Sequence, residues 1–278
     1  MPELPEVETM RRCIAPVCGR TIRDVQQPPS KLQPIKISPR LSTFRRRVIG
    51  RRIVAVERLG KRVLLRLDSD ERIVFEPRMS GLVLLADPPD REHLRLVFDL
   101  SGRPVRRILF WNMRGLGVVS LLSPRRFAEQ LGPGKLGPDA LEMSAEELRR
   151  RLQSSRRAVK VALLDQKVLA GIGNLYASEI LHRIGVHPEL SCNRLRRTQW
   201  QRLQVSIQDV LQEAIAHQGS TLGDGTYRVA KNEPGNFQVC HRVYGREGES
   251  CITCGKAAIL RIVQTQRSTF FCPRCQRR

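Results

Sequence analysis

Met1-Pro-Glu-Leu-Pro-Glu-Val-Glu-Thr9 is the stretch around which the rest of the chain is organised. A proline directly after Met is typical of chains that lose the initiator residue, so we expect Pro2 to carry a free secondary amine. An α-amino group has a pKa of about 8, against about 10.4 for a lysine side chain, so roughly a tenth of it is neutral at pH 7. A neutral amine can attack a carbonyl-like carbon and form a Schiff base.

Two carboxylates accompany this amine. If a helix begins near Pro2, Glu3 and Glu6 lie on one face at i, i+3, in the first turn where the helix dipole favours negative charge. Two acids beside one amine suit the acid and base roles that a nucleophile needs. The same residues also suit an ordinary proline-initiated helix with an acidic first turn, and only the rest of the chain decides between the two.

The composition indicates a nucleic-acid-binding protein. The 278 residues include 49 Lys and Arg against 27 Asp and Glu, and the formal net charge of +22 is spread over the whole chain. Phosphate neutralisation and counterion release give such a protein affinity for nucleic acid. We find no basic amphipathic stretch with a bulky aromatic face, no signal peptide and no apolar run of about 18 residues. The sequence therefore predicts an intracellular, cytoplasmic protein without a membrane partner.

Four cysteines have the spacing of a metal site. Cys251-x2-Cys254 and Cys272-x2-Cys275 are separated by 17 residues. In a reducing compartment this spacing predicts one tetrahedral zinc ion rather than disulfides. Four thiolates leave no open coordination position, so the zinc is expected to be structural. The remaining cysteines are expected to be reduced structural residues: Cys13, Cys18, Cys192 and Cys240.

The periodicity changes along the chain. Residues 2 to about 18 predict a helix, and residues 21 to 122 show short period-two runs that predict an antiparallel sandwich or barrel, with a hairpin over 93–110. Gly-Pro breakers at 131–138 indicate a linker. Helices are predicted after the Ser144-x-x-Glu147 capping box and at about 158–164, 174–183 and 198–217.

These patterns predict an α+β multidomain protein. Its first domain (1–132) holds the N-terminal helix and a β-sandwich, its second (133–239) is helical, and its third (240–278) is a zinc-finger β-hairpin. Residues 219–239 are rich in Gly, Asp and Asn and predict a long loop, which is usually functional or mobile.

Three motifs make the match to a family specific. Pro2–Thr9, the Gly171-Ile-Gly-Asn-Leu-Tyr-Ala-Ser-Glu179 segment and the four-cysteine hairpin around Gln266–Phe270 resemble formamidopyrimidine-DNA glycosylases. The motifs occur in the right order and cover essentially the whole chain. The related endonuclease VIII branch usually has Gly where this chain has Leu4, so the first branch fits better.

The resemblance implies a bilobal enzyme that binds damaged double-stranded DNA between its lobes and flips the lesion nucleotide out of the stack. It implies that the Pro2 amine attacks the sugar C1′, that Glu3 protonates the ring oxygen, and that Glu6 holds the opened sugar or the amine. The Schiff base acidifies the neighbouring proton, so both flanking phosphates can be eliminated.

Further residues match the family's DNA-contacting positions one at a time. Lys61 matches the sheet lysine that reaches phosphate and the lesion, and Asn174 matches the phosphate-binding Asn of the helix–two-turn–helix motif, at a helix N-terminus. Lys160 resembles a phosphate-contacting lysine of the same motif, and Arg267 matches the arginine of the zinc hairpin that grips phosphates. For Lys61 and Lys160 an ordinary solvated charge is the alternative interpretation.

Two segments depart from the family pattern. Glu76-Pro-Arg-Met-Ser-Gly81 stands where the family usually has His-Leu-Gly-Met-(Ser/Thr)-Gly. Met79 is retained as the residue that fills the gap left by the flipped base. Glu76 replaces a histidine near DNA, where a carboxylate repels phosphate unless a partner such as Arg78 neutralises it.

The second departure is Asn112-Met-Arg-Gly-Leu-Gly117, where the family usually has Asp-Pro-Arg-Arg-Phe-Gly. Arg114 remains in place to face the orphaned base. Leu116 replaces the intercalating Phe of the family and is a smaller wedge without an aromatic face. Gly115 replaces an arginine of the family. The changes therefore fall on residues that hold the duplex and leave the amine and its acids intact.

The leading hypothesis is a monomeric, nucleoid-associated DNA glycosylase and abasic-site lyase that acts on oxidised purines. One alternative keeps the lyase chemistry and prefers oxidised pyrimidines or abasic sites, because the wedge loop is altered. Another is a non-catalytic protein that binds damaged DNA, which the intact Pro2, Glu3 and Glu6 argue against.

Overall fold

The chain folds into two compact units in a computed structural model that describes residues 2–223, 225–229 and 232–278. The first unit comprises Met1–Gly132 and His217–Gln238, and the second comprises Pro133–Ala216 and Val239–Arg278. Met1 and, within the predicted 219–239 loop, Asp224, Ala230 and Lys231 lie outside the described residues. The division into three domains stays a prediction, and His217–Gln238 groups with the first unit rather than with the helical part.

A buried helix, α1 (Leu4–Ile14), runs through the first unit. It begins after the N-cap residue Glu3 with a proline at the second helical position, as the opening motif predicts. Every residue from Leu4 to Met10 is buried, so this helix packs on more than one side. A short 3-10 turn, Ala15–Val17, follows it.

Two sheets form the predicted sandwich. The four-stranded sheet has the order β1 (Ile22–Gln26), β7 (Leu94–Leu100), β8 (Arg107–Asn112) and β6 (Gly81–Leu84). The five-stranded sheet has the order β2 (Lys36–Ser38), β9 (Val118–Leu122), β5 (Arg72–Glu76), β4 (Arg62–Leu67) and β3 (Ile53–Leu59). Phe75 of one sheet lies 5.6 Å, centroid to centroid, from both Phe98 and Phe110 of the other, so one core joins them.

The predicted 93–110 hairpin is confirmed as the antiparallel pair β7–β8. One pairing differs from the all-antiparallel prediction, because the short edge strand β2 runs parallel to β9. Two helices, α2 (Leu41–Val48) and α3 (Pro124–Leu131), were not predicted. In α2 only Phe44 and Val48 are buried. Because three consecutive arginines separate these two residues, the sequence shows no clear helical period. In α3 no residue is buried.

The second unit is mostly helical, as predicted. Its helices are α4 (Ala145–Leu152), α5 (Val159–Leu163), α6 (Asn174–Arg183) and α7 (Arg197–Ala216). The predicted cap is confirmed, since the Ser144 hydroxyl accepts the Glu147 N–H at 3.1 Å. The hairpin strands β10 (Leu260–Gln264) and β11 (Arg267–Phe271) complete the unit. Within the described residues, no helix combines the length and the apolar character needed to cross a membrane.

Glu8 is expected to make the first unit sensitive to acid. Burial raises the pKa of this carboxyl, but hydrogen bonds from Arg11 and Arg12 outweigh it, and the pKa falls from 4.5 to about 2. Because the folded pKa lies below the unfolded one, the carboxylate stabilises the fold above about pH 4.5 and loses this contribution as the pH falls toward 2. We expect Glu8→Gln to lower the free energy of unfolding by about 3 kcal/mol at pH 7 and by half of that or less at pH 3.

Urea unfolding of both proteins at the two pH values checks this expectation. The control is Glu129→Gln, which removes an exposed i, i+4 pair with Arg125 and should change the unfolding free energy by less than about 0.5 kcal/mol. A Glu8→Gln effect that is equally large at pH 3 and pH 7 would contradict the assignment to ionisation.

Candidate active site

Pro2, Glu3 and Glu6 lie together at the buried start of α1. Glu3 and Glu6 are 5% and 3% exposed, and Pro2 is buried beside them. The two acids form a capping box, in which the Glu6 carboxylate accepts the Glu3 N–H at 2.8 Å and the Glu3 side chain faces the Glu6 N–H. One helical turn therefore brings two carboxylates to the residue that carries the candidate amine.

A segment far away in sequence completes this arrangement. The second oxygen of Glu6 accepts the N–H of Ser220 at 2.8 Å, across 214 residues of chain. Gly219 precedes it with a φ of +78°, a backbone conformation that glycine adopts without strain. Both oxygens of Glu6 are thus held by backbone N–H groups, one from its own helix and one from the His217–Gln238 segment.

Tyr227 holds the same segment in the core of the first unit. It is 5% exposed and packs with the core, together with Val229. Its hydroxyl donates to the Gln218 carbonyl at 2.9 Å. Burial, reinforced by the nearby Glu6 carboxylate, raises the pKa of Tyr227 well above its usual value, so the phenol stays neutral. Sequence reasoning missed Gly219, Ser220 and Tyr227, and the glycine-rich composition of the loop was their only signal.

Gly219 should tolerate no side chain. A Cβ at this position would lie 2.6 Å from the Glu6 Oε1 and 2.9 Å from its Cγ. We expect Gly219→Ala to displace Glu6 or the Ser220 N–H and to lower the excision rate on a lesion duplex by about 10-fold, since small misplacements in an active site are costly.

The matched control is Gly223→Ala in the same segment. A Cβ there meets no atom within 4 Å, and its φ lies outside the left-handed region. Single-turnover excision assays on both variants separate the two positions. Wild-type excision by Gly219→Ala would show that the contact between Glu6 and Ser220 is dispensable.

Lys61 lies in the two-residue turn between β3 and β4, after Gly60 with its φ of +55°. Both strands contact α1, and Arg58 of β3 places its Nε 3.2 Å from the Glu8 Oε2. The hairpin that presents the half-buried Lys61 is therefore fixed against the helix that begins at the two acids.

Two neighbouring loops bring together the predicted duplex-contacting residues of the first unit. The Arg114 N–H donates to the Ser80 hydroxyl at 3.1 Å, next to Met79. Met79 and Leu116 are 39% and 53% exposed, which is unusual for large apolar side chains. The exposed Arg114 lies on the same loop as Leu116. The apolar side chains of Met79 and Leu116 and the positively charged Arg114 thus lie at one end of the four-stranded sheet.

Glu76 forms ion pairs with two arginines, one of which is the Arg78 that the sequence suggested as a partner. Its carboxylate lies 3.0 Å from Arg78 Nη2 and 3.4 Å from Arg62 Nε. Arg78 has a φ of +56°, so the residue directly before Met79 adopts a backbone conformation that is uncommon for a side chain of this kind. The departure from the family therefore adds an ion pair at the base of the Met79 loop.

In the second unit, Asn174 is the first residue of α6 and Lys160 lies beside it. Lys160 is fully buried, and its ammonium donates to Asn174 Oδ1 at 2.6 Å and to Thr269 Oγ1 at 2.5 Å. The Asn174 amide in turn donates to the Ser268 carbonyl at 2.9 Å. Lys160 is thus not the exposed charge of the alternative interpretation, because it is buried and its ammonium donates to side chains of the same unit. It positions Asn174 and β11, and a direct phosphate contact stays a prediction.

The four predicted zinc ligands meet in one cluster. All four sulfur atoms lie within 4.8 Å of one another, with 3.8 Å between Cys251 and Cys275 and 3.7 Å between Cys254 and Cys272. A tetrahedron with Zn–S bonds of about 2.3 Å requires sulfur separations of about 3.8 Å, so the cluster fits one structural zinc ion. The exposed Arg267 begins β11 between the two cysteine pairs.

Comparison with known proteins covers the whole chain. Family models match at residues 1–119 (formamidopyrimidine-DNA glycosylase N-terminal domain), 136–225 (formamidopyrimidine-DNA glycosylase H2TH domain) and 248–278 (zinc finger found in FPG and IleRS). The formamidopyrimidine-DNA glycosylase of Chloroflexus aurantiacus is 40% identical over 280 residues, which cover 99% of this chain and 98% of the relative.

Solved structures agree. The MutM (Fpg) protein of Thermus thermophilus has a TM-score of 0.85 and 36% identity, with 99% of this chain and 98% of that one covered. The Lactococcus lactis Fpg (MutM) in complex with a FAPY-dG containing DNA has a TM-score of 0.87 and 30% identity, with 99% and 100% covered. With the start of α1, the helical motif and the four-cysteine cluster all present, the chain belongs to the formamidopyrimidine-DNA glycosylase family.

Proposed function

We propose that this protein is a bifunctional DNA glycosylase and abasic-site lyase of base excision repair that removes oxidised purines, namely 8-oxoguanine and formamidopyrimidines, from duplex DNA. The observation that carries the proposal is the buried start of α1, where Glu3 and Glu6 follow, within one helical turn, the residue expected to carry the terminal amine. The protein acts as a monomer on DNA inside the cell, and the net charge of +22 supports this choice of partner.

The proposed chemistry uses Pro2, Glu3 and Glu6. The Pro2 amine attacks C1′ of the flipped nucleotide while Glu3 protonates the ring oxygen, and the damaged base leaves. The resulting Schiff base acidifies the adjacent C2′ proton, so the 3′ phosphate and then the 5′ phosphate are eliminated. Glu6 holds the opened sugar or the amine, and its two backbone N–H partners fix its carboxylate in place for this role.

The two loops at the end of the four-stranded sheet engage the duplex. Met79 fills the space left by the flipped nucleotide, Leu116 enters the stack as an apolar wedge, and Arg114 faces the orphaned base. The exposure of all three side chains supports these roles. Lys61, Asn174 and Arg267 bind phosphates near the lesion, with Asn174 and β11 oriented by Lys160.

A second candidate keeps the same chemistry but prefers oxidised pyrimidines or abasic sites. Leu116 favours this alternative, because it lacks the aromatic face on which a base can stack. Compared with the family pattern, Gly115 and the Glu76–Arg78 pair also change the surface that would contact the lesion strand and the complementary strand.

A panel of duplexes tests the proposal. The zinc-loaded protein is incubated with duplexes that carry 8-oxoguanine opposite cytosine, a formamidopyrimidine, thymine glycol or an abasic site, and free base and strand cleavage are both measured. Fastest release of the two purine lesions supports the main proposal. Preference for thymine glycol, or cleavage of the abasic duplex alone, supports the second candidate. Tight binding without any cleavage would overturn both in favour of a non-catalytic binding protein.

Removing the Glu76 carboxylate should strengthen binding to DNA. Glu76→Gln releases Arg78 and removes a negative charge beside the Met79 loop. One additional phosphate contact steepens the dependence of log K on log salt by about 0.9. We therefore expect a steeper salt dependence, measured by titration of a lesion duplex at several salt concentrations. Glu129→Gln removes the same charge at an exposed site and serves as the control; equal slopes for the two variants would contradict a specific role for Glu76.

A further inference from the structure

A buried histidine lies against the zinc site. His182 of α6 is 4% exposed, and its Nε2 lies 3.7 Å from the sulfur of Cys251. The other ring nitrogen, Nδ1, is also buried and has no hydrogen-bond partner among the described residues. The zinc hairpin supplies its four ligands from its own cysteines, so this imidazole is not needed to complete the coordination sphere.

The surroundings decide which ring nitrogen of His182 carries the proton. A zinc-bound thiolate can only accept a hydrogen bond, and a neutral imidazole has one N–H and one lone pair. A proton on Nδ1 would bury an N–H without an acceptor and turn the Nε2 lone pair toward a negatively charged sulfur. A proton on Nε2 avoids both costs and lets the N–H donate to the sulfur across the 3.7 Å that separates the two atoms.

We propose that His182 is a positioning residue of the zinc centre, whose Nε2–H donates to the Cys251 thiolate. Such a bond withdraws electron density from the sulfur, so Cys251 is less nucleophilic and the zinc is released more slowly. Groups that hydrogen-bond to metal ligands commonly contribute in this way to metal affinity. The inference concerns the zinc centre and does not depend on the proposed excision activity.

A second side chain of α6 supports the same connection. Glu179 lies one turn before His182 on the same face of the helix and is 3% exposed. Its carboxylate accepts the backbone N–H groups of Arg242, Val243 and Tyr244 at 2.9, 3.0 and 2.8 Å. Glu179 thus connects α6 to residues 242–244, which lead into the zinc hairpin. His182 connects the same helix to the hairpin itself.

The test uses the full chain loaded with Co²⁺ in place of zinc. His182→Phe keeps the volume and removes the N–H, whereas His182→Gln keeps an N–H donor. We expect His182→Phe to move the sulfur-to-cobalt charge-transfer band to lower energy. The same variant should release the metal at least about 10-fold faster when a thiol-alkylating reagent is added. His182→Gln should stay near wild type in both measurements. His187→Phe, at another buried histidine that packs against Phe271, is the control and should change neither property.

Identical bands and release rates for wild type and His182→Phe would overturn the proposal. A second measurement needs no substitution and so does not depend on a variant that folds. The nitrogen chemical shifts of the His182 ring in the zinc-loaded wild-type protein report which nitrogen is protonated. Protonation at Nε2 supports the bond to Cys251, and protonation at Nδ1 would overturn it.

Discussion

Blocking the Pro2 amine is expected to abolish base release and strand cleavage together. Insertion of a lysine between Met1 and Pro2 prevents removal of Met1, so the proline nitrogen becomes part of an amide and loses its nucleophilic lone pair. In the proposed mechanism the same nitrogen forms the bond to C1′ in the first step and carries the Schiff base in the later ones, so both activities depend on it. We expect excision of 8-oxoguanine to fall by about 10³-fold or more.

Pro2→Gly is the matched control. It keeps a terminal amine and should therefore still form a covalent adduct, although more slowly, because the primary amine is attached to a more flexible backbone. Affinity for a duplex that carries an uncleavable abasic analogue should stay within a few-fold of wild type for both variants, which shows that the DNA-binding surface is intact. An insertion variant that keeps a tenth or more of the wild-type rate would contradict the assignment of Pro2 as the nucleophile.

Loss of zinc is expected to have the second largest effect. The core around the hairpin has four buried members, Val243, Cys251, Ile259 and Cys272, and two of them are metal ligands. Without the ion, this cluster keeps the buried aliphatic side chains of Val243 and Ile259, against which the partly buried Ala257 and Phe270 pack. Structural zinc contributes about 10–16 kcal/mol in zinc-finger peptides, so the metal-free hairpin should unfold.

Unfolding of the hairpin would misplace Arg267 and the Ser268 and Thr269 groups that orient Asn174 and Lys160. We expect Cys254→Ser, or treatment with a chelator, to weaken binding to a lesion duplex by about 100-fold, since each lost bond to a charged group is worth about 1.5–3 kcal/mol. The control is Cys18→Ser at an exposed cysteine outside the cluster. Unchanged duplex affinity in the metal-free protein would contradict the structural role of the zinc.

Local patterns in the sequence predicted much of the fold. The proline and acids at 2–6, the Ser144 cap and the two cysteine pairs each depend on neighbours a few residues apart, and each has its predicted counterpart in the structure. The missed helix α2 and the parallel pairing of β2 with β9 depend on tertiary packing. Their sequences carry too few apolar residues to show a period.

The candidate site was less predictable where it depends on distant contacts. The bond between Glu6 and Ser220 joins residues 214 positions apart, and no local pattern marks it. Lys160 was interpreted as a phosphate-contacting lysine or an exposed helix charge, yet it is buried and its ammonium donates to Asn174, Ser268 and Thr269. His182 gave no signal at all, since a single histidine between Leu181 and Arg183 of a helix is ordinary in sequence.

The most direct test of Pro2 as the nucleophile is borohydride trapping followed by peptide mapping of the adduct. The zinc-loaded protein is trapped on two duplexes, one with an abasic site and one with 8-oxoguanine opposite cytosine. We expect a covalent adduct on both duplexes, attached to the N-terminal peptide through the nitrogen of Pro2. An adduct on the abasic duplex alone would retain the chemistry and contradict the proposed base preference. An adduct through any lysine, or none from folded protein, would contradict the role of the Pro2 amine as the nucleophile.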